Sequence, residues 1–408
     1  MKKVLFISSI LISVIVSDIV ACTTAIISGK YTEDGRPILW KHRDSDFYQN
    51  KLMYFTDGKY DYIGLVNSED LEGKEVWAGT NSTGFSIMNA ALYDVNLDYE
   101  GDYKDREGYV MKMALQQCAT LKDFEKFLTD LPKPMGVAAS FGVIDANGGA
   151  AYYETDNNTF VKFDANDPRV APNGYIIRTN HAYTGVKDKG YGYIRYENAH
   201  DLFSNAFATN RLNYQTIIKE FSRSFYHSLL KTDYRDFTDE YTNKQQFINA
   251  GDLIVRNSSV SSVVIHGVKK GESPEFTTMW TVLGYPFTTV AVPVWIKGGK
   301  DLPRIMMAEK NGNAPLCDMA LKLKKQCYPV ERGSGYKYLN ISSLINKNNT
   351  GILQKIEPIE EEIFNLTESK LTNWQVKQLK KEEIQNYYNW IDDYVNKQYS
   401  KAFQELKP

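Results

Sequence analysis

From residue 22 onward short apolar runs alternate with turn residues, a pattern that predicts strands over the first hundred positions. Residues 23–28, Thr-Thr-Ala-Ile-Ile-Ser, are β-branched and apolar, the composition of a buried strand. A turn at Thr32-Glu33-Asp34-Gly35 leads to a second run over 37–42, so the two read as a hairpin. Runs over 51–55 and 62–66 flank Asp57-Gly58, and runs over 76–79 and 85–91 flank Asn81-Ser82-Thr83-Gly84. The period then changes. Leu121, Phe124, Phe127 and Leu128 recur at helical spacing behind Thr120-x-x-Asp123, which predicts an N-capped helix within a helical stretch over 107–131. Strands resume over 139–145 and 151–154 around Asn147-Gly148-Gly149, the clearest hairpin signal in the chain. Residues 159–163 and 175–178 extend that sheet, 193–225 reads as mostly helical, and 261–267, 278–283 and 289–295 read as late strands. Ile384, Tyr387, Tyr388, Ile391, Tyr394 and Val395 form one helical stripe, an amphipathic helix packed on the body. Strands, then helices, then strands predict an α+β layered fold rather than βαβ winding.

Residues 1–21 stand apart from this pattern. Lys2 and Lys3 precede an apolar stretch from Val4 to Val16, and Ala21 supplies a small residue before a cut. This is the layout of a cleaved export signal, shorter than the run of about 20 apolar residues a permanent span needs. The residue after the cut is Cys22, which admits two readings. Ile19-Val20-Ala21-Cys22 is a loose lipobox, which would make Cys22 a lipid anchor of a surface protein. Alternatively, cleavage makes Cys22 the new N-terminus and its thiol a nucleophile. Lipid-anchored chains continue into a polar tether, whereas Thr23-Thr24-Ala25-Ile26-Ile27-Ser28 is strand-like. The sequence therefore favours the nucleophile, in a periplasmic or secreted protein.

A terminal cysteine carries its own base. Its thiol has an ordinary pKa of about 8.5, and a free α-amino group titrates at about 7.7–8.0. The amine can take the thiol proton and later return it to a leaving nitrogen. Lipidation would acylate that amine, so the two readings of Cys22 exclude each other.

Composition narrows the alternatives. Of 408 residues, 43% are hydrophobic and 24% charged, ordinary for a globular chain and unlike a disordered or collagenous one. Forty-eight basic against 50 acidic residues give no basic excess for nucleic acid or anionic lipid. Four cysteines are too few for a disulfide scaffold. Cys118 reads as a buried small hydrophobe, and Cys317 and Cys327 are a candidate disulfide. The five histidines show no zinc-binding spacing, and no glycine-rich nucleotide loop is present. Neither a metal nor a cofactor is expected.

Cys22-Thr23-Thr24, followed by Gly35-Arg36-Pro37-Ile38-Leu39-Trp40-Lys41-His42-Arg43-Asp44, resembles the start of the N-terminal-nucleophile (Ntn) cysteine hydrolases. The nearest branch is the acyl-CoA:6-aminopenicillanic-acid acyltransferase-like (peptidase C45-like) proteins, relatives of the choloylglycine hydrolases. Three later segments fit the same pattern. They are Gly79-Thr80-Asn81-Ser82-Thr83-Gly84-Phe85-Ser86-Ile87-Met88-Asn89, Phe141-Gly142-Val143-Ile144-Asp145-Ala146 and Arg178-Thr179-Asn180-His181.

The resemblance implies a four-layer αββα sandwich of mostly antiparallel sheets over 22–330, with a helical C-terminal extension over 331–408. It implies that Cys22 heads a central strand, that Asp44 orients its α-amine, and that Asn180 and Asn81 face the developing oxyanion. Lys41 stands where bile-salt hydrolase relatives carry arginine, with Arg43 beside it. Arg256 is the candidate for a second family arginine, with Ser262 competing for that place. The implied activity is cleavage of a linear amide of a small molecule or small peptide through a thioester on Cys22, resolved by water or an amine. A C69-type dipeptidase and a bile-salt hydrolase are the alternatives within the enzyme class.

Overall fold

The computed structural model describes residues 21–101 and 105–406. The export signal read over residues 1–21 therefore lies, apart from Ala21, outside the described residues. No helix among the described residues is long and apolar enough to cross a membrane.

Two antiparallel sheets face each other. The first has six strands: β1 (Cys22–Ile27), β2 (Ile38–Asp44), β10 (Tyr175–Arg178), β14 (Ser259–His266), β15 (Thr278–Leu283) and β16 (Ala291–Val294), in the order β10-β1-β2-β14-β15-β16. The second is a seven-stranded meander: β3 (Asn50–Phe55), β4 (Tyr62–Asn67), β5 (Ala78–Asn81), β6 (Ser86–Ala91), β7 (Ala139–Ile144), β8 (Ala150–Thr155) and β9 (Phe160–Asp164). Strands β1 and β2 lie against β6 and β7 of the other sheet. Two short ribbons complete the strands, β11 (Tyr226–His227) with β12 (Thr232–Asp233) and β13 (Phe247–Asn249) with β17 (Tyr338–Asn340).

Helices cover both outer faces. On the seven-stranded sheet lie α1 (Glu107–Gln117) and α2 (Leu121–Asp130). Val110, Met111, Leu115, Phe124 and Leu128 bury there against Phe85, Ile87, Phe141 and Tyr153. Thr120 closes the expected capping box with Asp123. On the six-stranded sheet lie α3 (Tyr193–Ala208), a turn α4 (Tyr214–Thr216) leading into a π-turn, α5 (Pro315–Cys327) and the long pair α6 (Ile352–Lys377) and α7 (Lys381–Ala402). The architecture is thus a four-layer αββα sandwich with helices at its C-terminus. Five members of the late apolar stripe are buried in α7, with Tyr394 at its edge. A buried ion pair anchors α6: Glu360 Oε1 accepts from Arg223 at 2.7 Å and from the Ala291 N–H at 2.6 Å.

The two-residue alternation of β1 and β2 sets the site. Register pairs Cys22 with Arg43, Thr24 with Lys41 and Ile26 with Leu39. The Thr24 hydroxyl accepts from Tyr152 on β8 at 2.8 Å, so this set points between the sheets. The alternate set, Thr23, His42 and Asp44, points toward the helix layer that carries α3. Strand β2 thus buries four consecutive polar residues, Lys41-His42-Arg43-Asp44, none more than 3% exposed.

Candidate active site around Cys22

Cys22 is 4% exposed, and side chains hold both polar atoms of its backbone. Its N–H donates to Asn180 Oδ1 at 3.0 Å, and its carbonyl accepts from Arg195 at 2.6 Å. Arg195 also donates to Thr23 Oγ1 at 3.1 Å and to Asn180 Oδ1 at 2.8 Å. The Asn180 carboxamide is therefore fixed through its oxygen, and its Nδ2 donates to the Ala91 carbonyl at 2.8 Å. Burial lowers the Arg195 pKa to about 9, with Arg256 adding repulsion while Asp44 and Cys22 oppose the fall.

The chain here is continuous through Ala21. Ala21 is 2% exposed, and its carbonyl accepts from the Asp44 N–H at 3.0 Å. Fully buried Asp44 accepts from Arg256 Nε and a terminal nitrogen at 3.2 and 3.0 Å and from Ser259 Oγ at 2.7 Å. His42 Nε2 meets the same Ser259 hydroxyl at 2.9 Å, and burial lowers its pKa to about 4, so it is neutral. Buried Asp44, Ser259 and His42 form one polar cluster behind the Ala21–Cys22 bond, closed on the cavity side by half-buried Arg256.

On the thiol side lie two cations. Lys41 Nζ donates to the Trp77 carbonyl at 2.9 Å and to Asn89 Oδ1. Arg43 donates to Asn50 Oδ1 at 2.6 Å and lies 4.8 Å from the Trp77 ring centroid. Burial lowers both, Lys41 to about 8 and Arg43 to about 10, while the electrostatic pull of Cys22 opposes the fall. A cavity of about 550 Å³ opens at Ala21, where Tyr191, Tyr193, Tyr336, Arg195, Arg256 and Lys337 reach its wall.

The structure thus brings Cys22, Lys41, Asp44, Asn180 and Arg256 to one place. It does not bring Asn81. Both Nδ2 hydrogens of Asn81 go to the Leu115 and Cys118 carbonyls at 2.9 and 2.8 Å, and its Oδ1 accepts from Thr83. The Asn-x-x-Gly motif staples the β5–β6 turn to the end of α1 on the outer face, so Asn81 has no free donor for an oxyanion. The Cys317–Cys327 disulfide is also excluded. Both residues lie in α5, where ten residues at 1.5 Å each separate them by roughly 15 Å. All four cysteines are free and buried, and burial raises Cys118, Cys317 and Cys327 to about 12. Ser262 is spent on Trp40 and Ser222. His181 stacks on Tyr193 at 4.5 Å and meets Thr179 at 3.1 Å.

Arg195, His42 and Ser259 were not legible as site residues. An arginine at the start of α3 carries no motif. The buried run Lys41-His42-Arg43-Asp44 did offer a signal, because charge in a core strand is sustained only by partners.

No family model matches the chain, and no curated protein matches it. Among solved structures it is similar to a Caenorhabditis elegans N-acylethanolamine-hydrolyzing acid amidase ortholog, at 14% identity over 60% of this chain and 92% of that one, TM-score 0.42. It is also similar to a mutant of the conjugated bile acid hydrolase from Clostridium perfringens, at 9% identity over 67% and 92%, TM-score 0.40. A third is penicillin V acylase from Agrobacterium tumefaciens, at 12% identity over 69% and 87%, TM-score 0.39.

Proposed function

We propose that this chain is an exported Ntn cysteine enzyme that hydrolyses a linear amide C–N bond of a small molecule or small peptide. The reading rests above all on one observation. Asn180 and Arg195 grip the backbone of Cys22 on either side of its Cα, while its side chain points between the sheets toward Lys41 and Arg43.

Cleavage before Cys22 converts its N–H into an α-amine held at Asn180 Oδ1. It also frees the Asp44 N–H from the Ala21 carbonyl. The amine takes the thiol proton, directly or through one water, and sulfur attacks the amide carbonyl. The C–S bond forms, the π pair moves to oxygen, and Asn180 Nδ2 is the side-chain donor for that oxyanion. When the intermediate collapses, the C–N bond breaks and the ammonium returns its proton to the leaving nitrogen. Water then attacks the thioester, gives its proton to the amine, and releases the acid with the thiol restored. Asp44, held by Arg256 and Ser259, places a negative charge near the amine. Lys41 and Arg43 favour the thiolate.

Export makes water the expected acceptor rather than an amine. Lys41 supplies charge but no bidentate fork, which argues against bile salts as the natural substrate. The mature protein should be assayed side by side on dipeptides, conjugated bile salts and N-acyl amino compounds. Turnover of an amide that accumulates an acyl adduct on the N-terminal peptide, and that disappears in Cys22→Ser, is the expected result. A fatty acyl amide on the Cys22 α-amine of the mature protein would mark a lipoprotein and end the proposal.

A further inference from the structure

Lys41, opposite Thr24 and on the same face as Cys22, does not stand alone. Its Nζ donates to Asn89 Oδ1, and Asn89 Nδ2 donates in turn to Glu107 Oε2. Lys41, Asn89 and Glu107 are 1%, 3% and 2% exposed. They come from three layers: β2 in one sheet, β6 in the facing sheet, and the first residue of α1 behind it. The order of donors and acceptors is fixed, because an ammonium only donates and a carboxylate only accepts. Asn89 therefore has one orientation, oxygen toward the cation and nitrogen toward the anion.

Resting on the reading of Cys22 as nucleophile, we infer that Asn89 and Glu107 are positioning residues that hold the Lys41 ammonium beside the Cys22 sulfur. The electrostatics agree with the geometry. Burial brings Lys41 down to about 8 and Glu107 up to about 8, and each group draws the other back toward its charged form. Arg43 repels the Lys41 charge, Cys22 and Asp105 favour it, and Asp105 also disfavours charge on Glu107. Tyr93 faces both Cys22 and Glu107, and Glu75 faces Arg43. As Glu107 ionises through about pH 8, the charge on Lys41 comes to depend on the carboxylate two hydrogen bonds away. An opposite charge beside a thiolate stabilises it, so loss of the ammonium reaches the nucleophile.

A mere cross-link between sheets would stabilise the fold without touching the thiol, and alkylation separates the two roles. The mature protein is treated with iodoacetamide across pH 5–9, and modification of the N-terminal peptide is followed by mass spectrometry. Protection of Cys118, Cys317 and Cys327 reports that each variant is folded. Lys41→Met should slow Cys22 alkylation at pH 7 about tenfold. Glu107→Gln should slow it several-fold from about pH 8 upward, where Glu107 is ionised, and Asn89→Leu should do the same if Glu107→Gln fails to fold. Glu107→Gln added to Lys41→Met should change nothing further. Unchanged or faster alkylation in Glu107→Gln over that range, or an equal slowing in both backgrounds, overturns the inference. The readout does not use turnover, so it fails separately from the Cys22→Ser activity test.

Discussion

Arg195→Met is the most informative perturbation outside Cys22 itself. Arg195 is 3% exposed and makes three bonds, to the Cys22 carbonyl, Thr23 Oγ1 and Asn180 Oδ1. Methionine fills similar volume, so no large cavity opens. The fold loses those bonds but no longer buries a guanidinium whose pKa burial has lowered to about 9. The two effects oppose, and the net stability change should stay within about 1–3 kcal/mol. Catalysis has no such offset. Without Arg195 the Asn180 carboxamide keeps the Cys22 donor on its oxygen and the Ala91 acceptor on its Nδ2, but it loses the charged bond that helps aim Nδ2 at the oxyanion. A bond from a charged donor contributes about 1.5–3 kcal/mol, which corresponds to a fall of about 10- to 150-fold in rate. That loss should appear in kcat, with KM little changed. The assay is steady-state hydrolysis by protein shown by mass to begin at Cys22, with a thermal melt as the fold control. A folded, processed Arg195→Met enzyme within threefold of the parent would refute this role for Arg195.

Three other outcomes follow from the same contacts. Asn81→Ala should lower stability by about 1–3 kcal/mol, since two buried carbonyls lose their donor, while kcat stays within twofold; a kcat loss of 10²-fold would return Asn81 to the reaction. His42 should contribute acid sensitivity. Its folded pKa is lowered from 6.5 to about 4, so the unfolded chain binds the proton first and stability is lost as pH falls from about 6.5 to 4. Denaturant midpoints at pH 7 and pH 4 should show His42→Gln losing about 3 kcal/mol less than the parent over that interval. Glu360→Gln leaves the 1%-exposed Arg223 guanidinium without its carboxylate and should destabilise the protein by about 3–5 kcal/mol; a midpoint shift worth less than about 1 kcal/mol would show that α6 is held by other contacts.

Much of this arrangement was legible in the chain. The apolar runs over 23–28 and 37–42 and the turn between them read as a hairpin, and the structure pairs β1 with β2 there. The Thr120 capping box and the Asn147-Gly148-Gly149 hairpin are local features, written in adjacent residues. What escaped depends on tertiary packing. Arg195 becomes a site residue only because α3 lies over β1. Asn89 and Glu107 are linked to Lys41 only because two sheets and a helix meet. Helix α6 lies within the helical extension expected over 331–408, but no local pattern marked its bounds. Asn81 misled for the opposite reason, since an Asn-x-x-Gly turn carries the same residues whether its amide serves an oxyanion or a helix end. The cysteine pair misled because sequence spacing does not say whether ten residues form a loop or one rigid helix.

The central claim is that the nucleophile is the terminal residue of the mature chain. N-terminal sequencing and intact mass of the protein recovered in its active form test it most directly. The account predicts a chain that begins at Cys22 with a free amine and four unpaired thiols. Active protein that begins at any other residue, or whose Cys22 amine is blocked, would contradict it.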